Sequence, residues 1–310
     1  MKKMIFKASV FISLCLVLCL LNYKGQYLMV SATETLGTLE NPYLIDDQSD
    51  FSLMNGSDAY FKMTKNITIS DSVTSLGIET FSGVLEGNGY SIFNLNGSLV
   101  ETLTGDINNL VIDNPREFVA SMDVDTKQLS MAGTRYAHLV VTDNVNSSTS
   151  INGKPQYFGY VCSKLSKGNL NNVRVTNATI NTNSHTQSSL DVNNYTAAYI
   201  GFMVGEATYS GLYNCTVDNS KMIYSTCYGV GGMVGTATAT TIAGSLVRNL
   251  TINGKDDVAI NQMPKAFTGL FVGINRTGVF FNNIAMDINQ GETPHLSMVG
   301  LISCNNSGLD

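Results

Sequence analysis

The sequence has no tryptophan, and only 14% of its 310 residues are charged. It also lacks the enrichment in Ala, Glu, Lys, Leu and Arg that is typical of helical proteins. Hydrophobic residues still make up 44% of the chain, which is too many for a disordered protein and enough to build a core. Because Asn, Ser, Thr and Gly are abundant among the rest, the composition predicts a β-rich, turn-rich globular protein.

Histidine is also scarce, and this argues against a zinc site. The three histidines lie far apart in the sequence and belong to no HExxH or CxxC…H pattern: His138, His185 and His295. The sequence contains neither GxxxxGK[ST] nor GxSxG. The run GVGGMVG at 229–235 does not have the GxGxxG spacing of a dinucleotide-binding loop. We therefore expect no metal and no cofactor.

The longest apolar run lies at the N-terminus and is typical of a secretory signal peptide. MKKMIFK is the positive segment, ASVFISLCLVLCLL follows as the apolar segment, and Val30, Ser31 and Ala32 form a small-x-small cleavage site. The apolar segment is shorter than the roughly 20 residues that span a bilayer. We therefore favour a cleaved signal peptide over residues 1–32 rather than a membrane anchor, and we expect an extracellular or cell-surface protein.

Cleavage would change both the charge and the cysteine count. It would remove four lysines and no acidic residue, which takes the formal net charge from −6 to −10. An acidic surface argues against nucleic acid and anionic membranes as partners. The four remaining cysteines are able in principle to form disulfides: Cys162, Cys215, Cys227 and Cys304. Cys162 and Cys215 replace Val or Leu in the repeats described next, so we favour buried free thiols.

A short phrase that starts with Gly recurs along the chain. Its third residue is always large and apolar, and its fourth is Val or a residue of similar size in nearly every copy. The copies start at Gly97, Gly159, Gly201, Gly231, Gly269 and Gly300. Glycine suits positions where the chain turns and a Cβ would clash. We therefore assign Gly159, Gly201, Gly231 and Gly269 to structural roles rather than to ligand binding.

A second phrase, Asn-apolar-x-apolar, follows the Gly phrase in each full repeat. Its copies start at Asn109, Asn172, Asn214, Asn249 and Asn283. Alternation with a period of two predicts a strand with one buried and one solvated face. Asn tolerates the left-handed conformation at a tight turn, and its amide is able to hydrogen-bond to the Asn of the next repeat. We assign these five residues to structural roles as well.

The two phrases together predict a solenoid. Units recur every 30 to 42 residues, and helical spacing over ten or more residues is absent. Stacked units should align one apolar residue from each into a continuous ladder: Leu110, Val173, Cys215, Leu250 and Ile284. We expect Val175, Val217 and Ile252 to be buried too, and Arg174 and Thr216 to be exposed.

Three stretches near the N-terminal side, ENPYLIDDQSDFSLMN, YFKMTKNITI and FSGVLEGNGYSIFNL, precede the later phrases GFMVG and GGMVG. Together they resemble bacterial surface proteins with GLUG-type repeats, over roughly residues 40–310. In those proteins the element F-x-G-x-x-x-G-N-G-x-x-I, residues 81–92 here, begins a right-handed parallel β-helix. The resemblance implies an all-β fold with an N-terminal cap over 33–80 and β-helix repeats over 81–310. We expect irregular structure at 113–157 and longer loops at 181–195 and 236–246.

The resemblance also raises the question of catalysis. GLUG-type repeats accompany a zinc metallopeptidase in some bacterial IgA proteases, and that catalytic motif is missing here. Parallel β-helices include polysaccharide lyases and hydrolases, so acidic pairs are candidates: Asp46 with Asp47, Asp123 with Asp125, and Asp256 with Asp257. Adjacent acids are typical of solvated turns. Asp123 and Asp125 would project to one side of a strand, which suits Ca²⁺ binding or acid–base chemistry.

We therefore expect no catalytic residue and a non-catalytic, adhesin-like binding or structural module. Its partner would be a host glycan, matrix or surface protein. The alternatives are a carbohydrate-active β-helix enzyme and a repeat fragment of a larger surface enzyme. Several tyrosines would suit stacking on sugars if exposed, or would cover strand ends or fill the core: Tyr195, Tyr199, Tyr209, Tyr224 and Tyr228.

The last Gly phrase, at Gly300, is not followed by an Asn phrase. A solenoid coil that stops there would leave strands unpaired, and natural solenoids cover such ends. We expect the chain either to continue into a longer protein or to self-associate through this open C-terminal coil.

Overall fold

The computed structural model describes residues 35–123, 138–141, 156–181, 198–224, 229–254, 267–290, 298–300 and 303–306. Within these ranges the regular structure is strands β1 to β31 and one short 3-10 helix, η1 (Gln48–Met54). In this part of the chain, no helix is long and apolar enough to span a bilayer.

The strands belong to four sheets, numbered here in the order in which a full coil visits them. Sheet 1 contains β12 (Gln156–Phe158), β17 (Ala198–Gly201), β21 (Gly229–Gly231), β25 (Phe267–Gly269) and β30 (Met298–Gly300). Sheet 2 contains β4 (Thr80–Phe81), β7 (Val100–Leu103), β13 (Cys162–Ser166), β18 (Val204–Thr208), β22 (Val234–Thr238), β26 (Val272–Asn275) and β31 (Ser303–Asn306).

Sheets 3 and 4 complete each coil. Sheet 3 contains β1 (Tyr43–Ile45), β2 (Tyr60–Met63), β5 (Val84–Glu86), β8 (Asp106–Asn108), β14 (Asn169–Asn171), β19 (Gly211–Tyr213), β23 (Thr241–Ala243) and β27 (Val279–Phe281). Sheet 4 contains β3 (Ile67–Thr68), β6 (Ser91–Phe93), β9 (Val111–Asp113), β10 (Phe118–Asp123), β15 (Arg174–Thr176), β16 (Thr179–Asn181), β20 (Thr216–Tyr224), β24 (Leu246–Gly254), β28 (Ile284–Met286) and β29 (Asn289–Gln290). Strand β11 (His138–Val141) pairs antiparallel to β10.

Every other described pairing is parallel and joins one coil to the next. Hydrogen-bonded residues at matching positions lie 63, 42, 30 and 38 residues apart in successive coils, as for Asn108 with Asn171 and Cys215 with Ser245. Such stacked parallel strands make the chain a parallel β-helix. The all-β solenoid predicted from the repeats is therefore confirmed.

The core consists of apolar ladders that run along the helix axis. The inward ladder of sheet 3 is fully buried and contains Phe61, Leu85, Ile107, Leu170, Leu212 and Ile242. The matching ladder of sheet 4 contains Ile92, Ile112, Val175, Val217 and Val247, also fully buried. Each such side chain contributes about 1.5–3 kcal/mol when fully buried. A coil gains this only when its neighbours cover it.

The burial predictions are confirmed for six residues and differ from the structure at three. Six residues are buried as predicted: Leu110, Val173, Val175, Val217, Leu250 and Ile252. Arg174 and Thr216 lie on the outward face and are half-buried. The prediction for Ile284 is wrong, because its side chain is 54% exposed. Ile284 pairs with Leu246, which pairs with Thr216, so it stands in the outward column of sheet 4. The single ladder predicted from Leu110 to Ile284 is therefore wrong beyond Cys215, because Leu250 pairs with Ser220 instead.

The predicted cap at 33–80, repeats at 81–310 and irregular segment at 113–157 stay predictions, and described strands lie in all three. Strands β1 and β2 already belong to sheet 3, and β4 spans the boundary predicted between residues 80 and 81. Helix η1 packs Phe51 and Met54 into the core beside these first strands. In the segment predicted to be irregular, 113–157, the described residues form β10, β11 and the start of β12. The loop predicted at 236–246 is wrong, because β22 and β23 occupy most of it.

Two of the cysteines confirm the preference for free thiols. Cys162 and Cys215 are buried and form no disulfide. Burial raises the pKa of the Cys215 thiol to about 12, so it stays protonated and packs as a small apolar group. Cys227 and the side chain of Cys304 lie outside the described residues.

Candidate functional site: the outer face of sheets 3 and 4

The repeat glycines lie where sheet 1 meets sheet 2. A Cβ added to Gly159 would lie 2.3 Å from the carbonyl oxygen of Met203, and one added to Gly201 would lie 2.3 Å from that of Met233. At Gly231 the Cβ would lie 1.9 Å from the carbonyl oxygen of Val234. Gly231 pairs with Gly269 in the adjacent strand β25. This corner is packed backbone against backbone and has no room for a ligand.

The repeat asparagines occupy two different turns. Asn109, Asn172 and Asn214 have φ of 52°, 54° and 54° in the turn between sheets 3 and 4. The next two coils place Gly244 and Asn282 at this turn, with φ of 62° and 55°. The predicted positions of two asparagines are therefore wrong, because Asn249 lies in a second turn, five residues further on, and Asn283 follows the left-handed residue instead of supplying it.

The second turn lies within sheet 4 and has its own column of left-handed residues, which consists of Asn94, Asn114, Asn177, Asn219, Asn249 and Asp287. Asn and Asp tolerate this conformation better than other residues with side chains. The Asn phrase does not distinguish the two turns, since both are followed by apolar residues at alternate positions.

Amide side chains link the coils at both turns, as predicted for the repeat asparagines. In the first turn, Asn172 Nδ2 donates to Asn109 Oδ1 at 2.8 Å, and Asn109 Nδ2 donates to both carboxylate oxygens of Glu86. In the second turn, Asn219 Nδ2 donates to Asn177 Oδ1 at 2.5 Å. These ladders tie each turn to the one below it.

The outward residues of β8, β14, β19 and β23 form a polar surface, which we call the sheet 3 face. It consists of Asp106, Asn108, Asn169, Asn171, Gly211, Tyr213, Thr241 and Ala243. The side chain of Asn169 donates to Asp106 Oδ1 at 3.0 Å, and that of Asn171 donates to Asn108 Oδ1 at 2.8 Å. The amides are thus held in fixed orientations along the helix axis.

Tyr213 lies across this face because Gly211 has no side chain. A Cβ at Gly211 would lie 2.2 Å from Cε2 of Tyr213 and 2.7 Å from Oδ1 of Asn169, so the ring and the amide meet over the glycine. Thr241 and Ala243, the neighbours in the next coil, are small. The result is a shallow, partly exposed aromatic surface bordered by fixed amides. Tyr213 is not among the residues predicted from the sequence, where its only signal is the Gly-Leu-Tyr alternation of β19.

The candidate tyrosines of the sequence lie outside the sheet 3 face or outside the described residues. Tyr199 is buried and stacks on Tyr157, with ring centroids 5.4 Å apart. Tyr209 is 67% exposed, in the turn between sheets 2 and 3. Tyr195, Tyr228 and the side chain of Tyr224 lie outside the described residues.

In the part of the chain that the structure describes, the candidate acidic pairs do not come together in one site. Asp47 caps η1 by accepting from the Ser49 amide at 2.9 Å, and this hydrogen bond lowers its pKa. Asp123 pairs with His138 between β10 and β11. The side chains of these two residues lie outside the described part of the chain, as do Asp125, Asp256 and Asp257. Within the described ranges, no group of three or more His, Cys, Asp or Glu is arranged to hold a metal.

Asp218 lies at the centre of a charged cluster on the outer face of sheet 4. Its Oδ2 accepts from Arg174 at 2.5 Å and from Arg248 at 2.7 Å, and its Oδ1 accepts from Asn249 Nδ2 at 3.0 Å. Burial alone would raise the pKa of Asp218. The hydrogen bonds from Arg248 and Asn249 and the charges of both arginines outweigh burial and lower the pKa below its ordinary value.

The lowered pKa predicts a pH-dependent effect of Asp218→Asn. Above pH 4 the variant should lose about 1–3 kcal/mol of unfolding free energy, because two guanidinium groups lose their shared carboxylate. The stabilisation exists above the unfolded pKa and disappears as pH falls through the lower folded pKa, so the difference from wild type should shrink at pH 2–3. Urea unfolding at pH 7 and at pH 2.5 measures it.

Asp71→Asn is the control for this prediction. Asp71 also faces an arginine, Arg116, at 3.5 Å, but its side chain is 94% exposed. An exposed pair of this kind contributes about 0–1 kcal/mol. An Asp218→Asn defect of the same size at both pH values would contradict the prediction.

The chain is similar to solved structures at low sequence identity. No family model and no curated protein matches the chain. An IgA1 protease structure is similar at 14% identity and a TM-score of 0.49, over 84% of this chain and 17% of that one. A Bacteroides ovatus structure named as an immunoglobulin A1 protease is similar at 15% identity and a TM-score of 0.39, over 87% of this chain and 86% of that one. The chain thus spans 17% of the length of the first structure, and the GLUG-type resemblance stays a prediction.

Proposed function

We propose that this protein is a secreted or surface-displayed β-helix module that binds a polysaccharide along the sheet 3 face without cleaving it. The observation that carries the proposal is the Tyr213 ring lying across Gly211, next to the fixed amides of Asn169 and Asn171. A sugar ring has an apolar face that packs on an aromatic ring and hydroxyl groups that hydrogen-bond to amides and carboxylates. The signal-peptide features at 1–32 support export.

The carboxylates near this face support binding rather than cleavage. Asp106 Oδ1 accepts from both the amide nitrogen and the side chain of Asn169, at 2.8 and 3.0 Å. Glu86 accepts from Asn109 and from the amide nitrogen of Asn88. Glycoside hydrolysis needs one carboxyl group that donates a proton and another that acts as base or nucleophile. The carboxylates of Asp106 and Glu86 instead hold asparagine groups in place, so the hydrogen bonds of this face favour a binding surface over an acid–base pair.

Tyr213→Ala should weaken polysaccharide binding by about tenfold, which corresponds to about 1.4 kcal/mol. The full chain is tested on an array of neutral and acidic glycans, and the affinity for the strongest ligand is then measured by calorimetry. Gly211→Ala should also weaken binding, because the added Cβ displaces the Tyr213 ring without removing it.

Tyr209→Ala is the matched control. It removes an exposed tyrosine from outside the sheet 3 face, and the equivalent residue of the next coil is Ala239, with φ of 48° against 51° for Tyr209. Its affinity should stay within about twofold of wild type, less than about 0.5 kcal/mol. Equal affinities for Tyr213→Ala and wild type would refute the proposed site. Release of soluble oligosaccharide from a bound glycan would favour the enzyme alternative instead.

A further inference from the structure

The charged cluster on the outer face of sheet 4 has two partly exposed arginines and a buried aspartate. Arg174, Asp218 and Arg248 lie on the adjacent strands β15, β20 and β24 and point to the same outer face. The Asp218 side chain is 6% exposed, whereas those of Arg174 and Arg248 are 43% and 39% exposed. Within this trio, solvent therefore meets the two arginines and hardly reaches the aspartate.

The hydrogen-bond capacity of the cluster is unevenly used. Asp218 accepts from three side chains, and its carboxylate is largely saturated. Each guanidinium has five N–H donors, and Asp218 takes only a bond from the terminal Nη2 of each. The Nε atoms of both arginines are buried without a partner and are out of reach of an anion, so the donors available to solvent are the remaining N–H groups of the terminal nitrogens. Planar donor forks of this kind match the oxygens of carboxylate and sulfate groups.

One acidic neighbour opposes anion binding. The hydrogen bond and the charge of Asp218 raise the pKa of Arg248. Asp287, which is exposed in the second turn of the next coil, raises it slightly further. Asp287 makes no ion pair with Arg248 within 4 Å among the described residues, because the cluster's ion pairs are those to Asp218. Its charge is solvated and screened, while the guanidinium groups are fixed.

We propose that Arg174 and Arg248 form an oxyanion-binding site for the sulfate or carboxylate groups of an acidic polysaccharide. Asp218, which also accepts from Asn249, holds the two guanidinium groups in place, and the exposed donors receive the anion. The site uses no residue of the sheet 3 face and does not depend on that proposed function. Arg174 follows the Asn172 turn that separates sheet 4 from sheet 3, so the two surfaces share a corner of the helix.

Three dextrans with one backbone test this site: neutral dextran, carboxymethyl dextran and dextran sulfate. The full chain should bind the charged polymers more tightly than the neutral one, and the affinity for the charged polymers should fall as salt rises. The preferred charged polymer identifies the anionic group. The double variant Arg174→Gln/Arg248→Gln should bind at least about tenfold more weakly, or about 1.4 kcal/mol. The double Gln variant should keep wild-type affinity for the strongest neutral glycan of the array, which separates this site from the sheet 3 face.

Two further variants distinguish a built site from general attraction. Lys221→Gln removes an exposed cation from the same strand as Asp218 and should change affinity by less than about twofold. Arg174→Lys/Arg248→Lys keeps the charge but loses the donor forks and should still bind at least about fivefold more weakly. Thermal melting verifies that each variant is folded. If the double Gln variant fails to fold, Arg174→Gln alone leaves Asp218 paired with Arg248 and Asn249 and should weaken binding about threefold.

Several results would overturn the site. These are equal binding of neutral dextran, wild-type affinity in a folded Arg174→Gln or double Gln variant, full binding by the double Lys variant, or a loss with Lys221→Gln as large as that of the arginine pair.

Discussion

Val217→Asp should prevent the protein from forming a stable β-helix. Val217 is fully buried in the sheet 4 ladder, between Val175 of one coil and Val247 of the next. A carboxylate there would be desolvated without a partner, which costs several kcal/mol, and the packing of the valine would be lost as well. We expect the unfolding free energy to fall by more than about 4 kcal/mol and the melting temperature to fall by at least about 10 °C.

Thr216→Asp is the control for Val217→Asp, because it places the same charge one residue away on the opposite face of the strand. Thr216 is half-buried on the outward side and pairs in register with Arg174. We expect a change within about 0.5–1 kcal/mol. Circular dichroism melting of both variants measures the difference. If Val217→Asp melts within a degree or two of wild type, the inward register assigned to β20 is wrong.

Gly201→Ala should destabilise the corner between sheets 1 and 2 by about 2–4 kcal/mol. The added Cβ would lie 2.3 Å from the carbonyl oxygen of Met233 and 2.5 Å from that of Val204. Met233 is held in place because its carbonyl accepts from the amides of Met203 and Val204, at 3.0 and 3.1 Å. Relieving the clash requires a backbone shift that breaks these bonds between coils. Denaturant unfolding measures the loss, and hydrogen exchange at Met203 and Val204 should be faster.

Gly89→Asn is the control for the glycine change. Gly89 has φ of +77°, and a Cβ there would meet nothing within 4 Å. Its amide donates to the carbonyl of Asn109, the residue that holds the same turn of the next coil with φ of 52°. Asn is tolerated in this conformation, so stability should change by less than about 0.5 kcal/mol. A loss at Gly89→Asn that equals the loss at Gly201→Ala would show that the effect does not come from the corner.

The periodic part of the sequence predicted most of the fold but not its exact register. Alternation identified Val173, Val175 and Val217 as buried, because a strand with one buried face must repeat with period two. The same rule failed at Ile284, and the Asn249 phrase marks a different turn from the other Asn phrases. One coil has Gly244 instead of Asn at its first turn. Its Asn249 lies in the second turn but is followed by the same alternation of apolar residues. Parallel pairing between coils, which a single sequence does not display, sets the true alignment.

By itself, the sequence determined the class of fold, the alternation of buried and outward residues in most strands, and the need for Gly and Asn at the corners. These follow from period, side-chain size and backbone conformation, which are properties of each residue and its neighbours in the chain. Only the tertiary structure decided which outward residues meet. Tyr213 lies over Gly211 of its own strand beside Asn169 from 42 residues earlier, and Asp218 lies between arginines from the coils below and above. Coil lengths vary because the connections between coils vary, so only stacking brings these side chains together to form a surface.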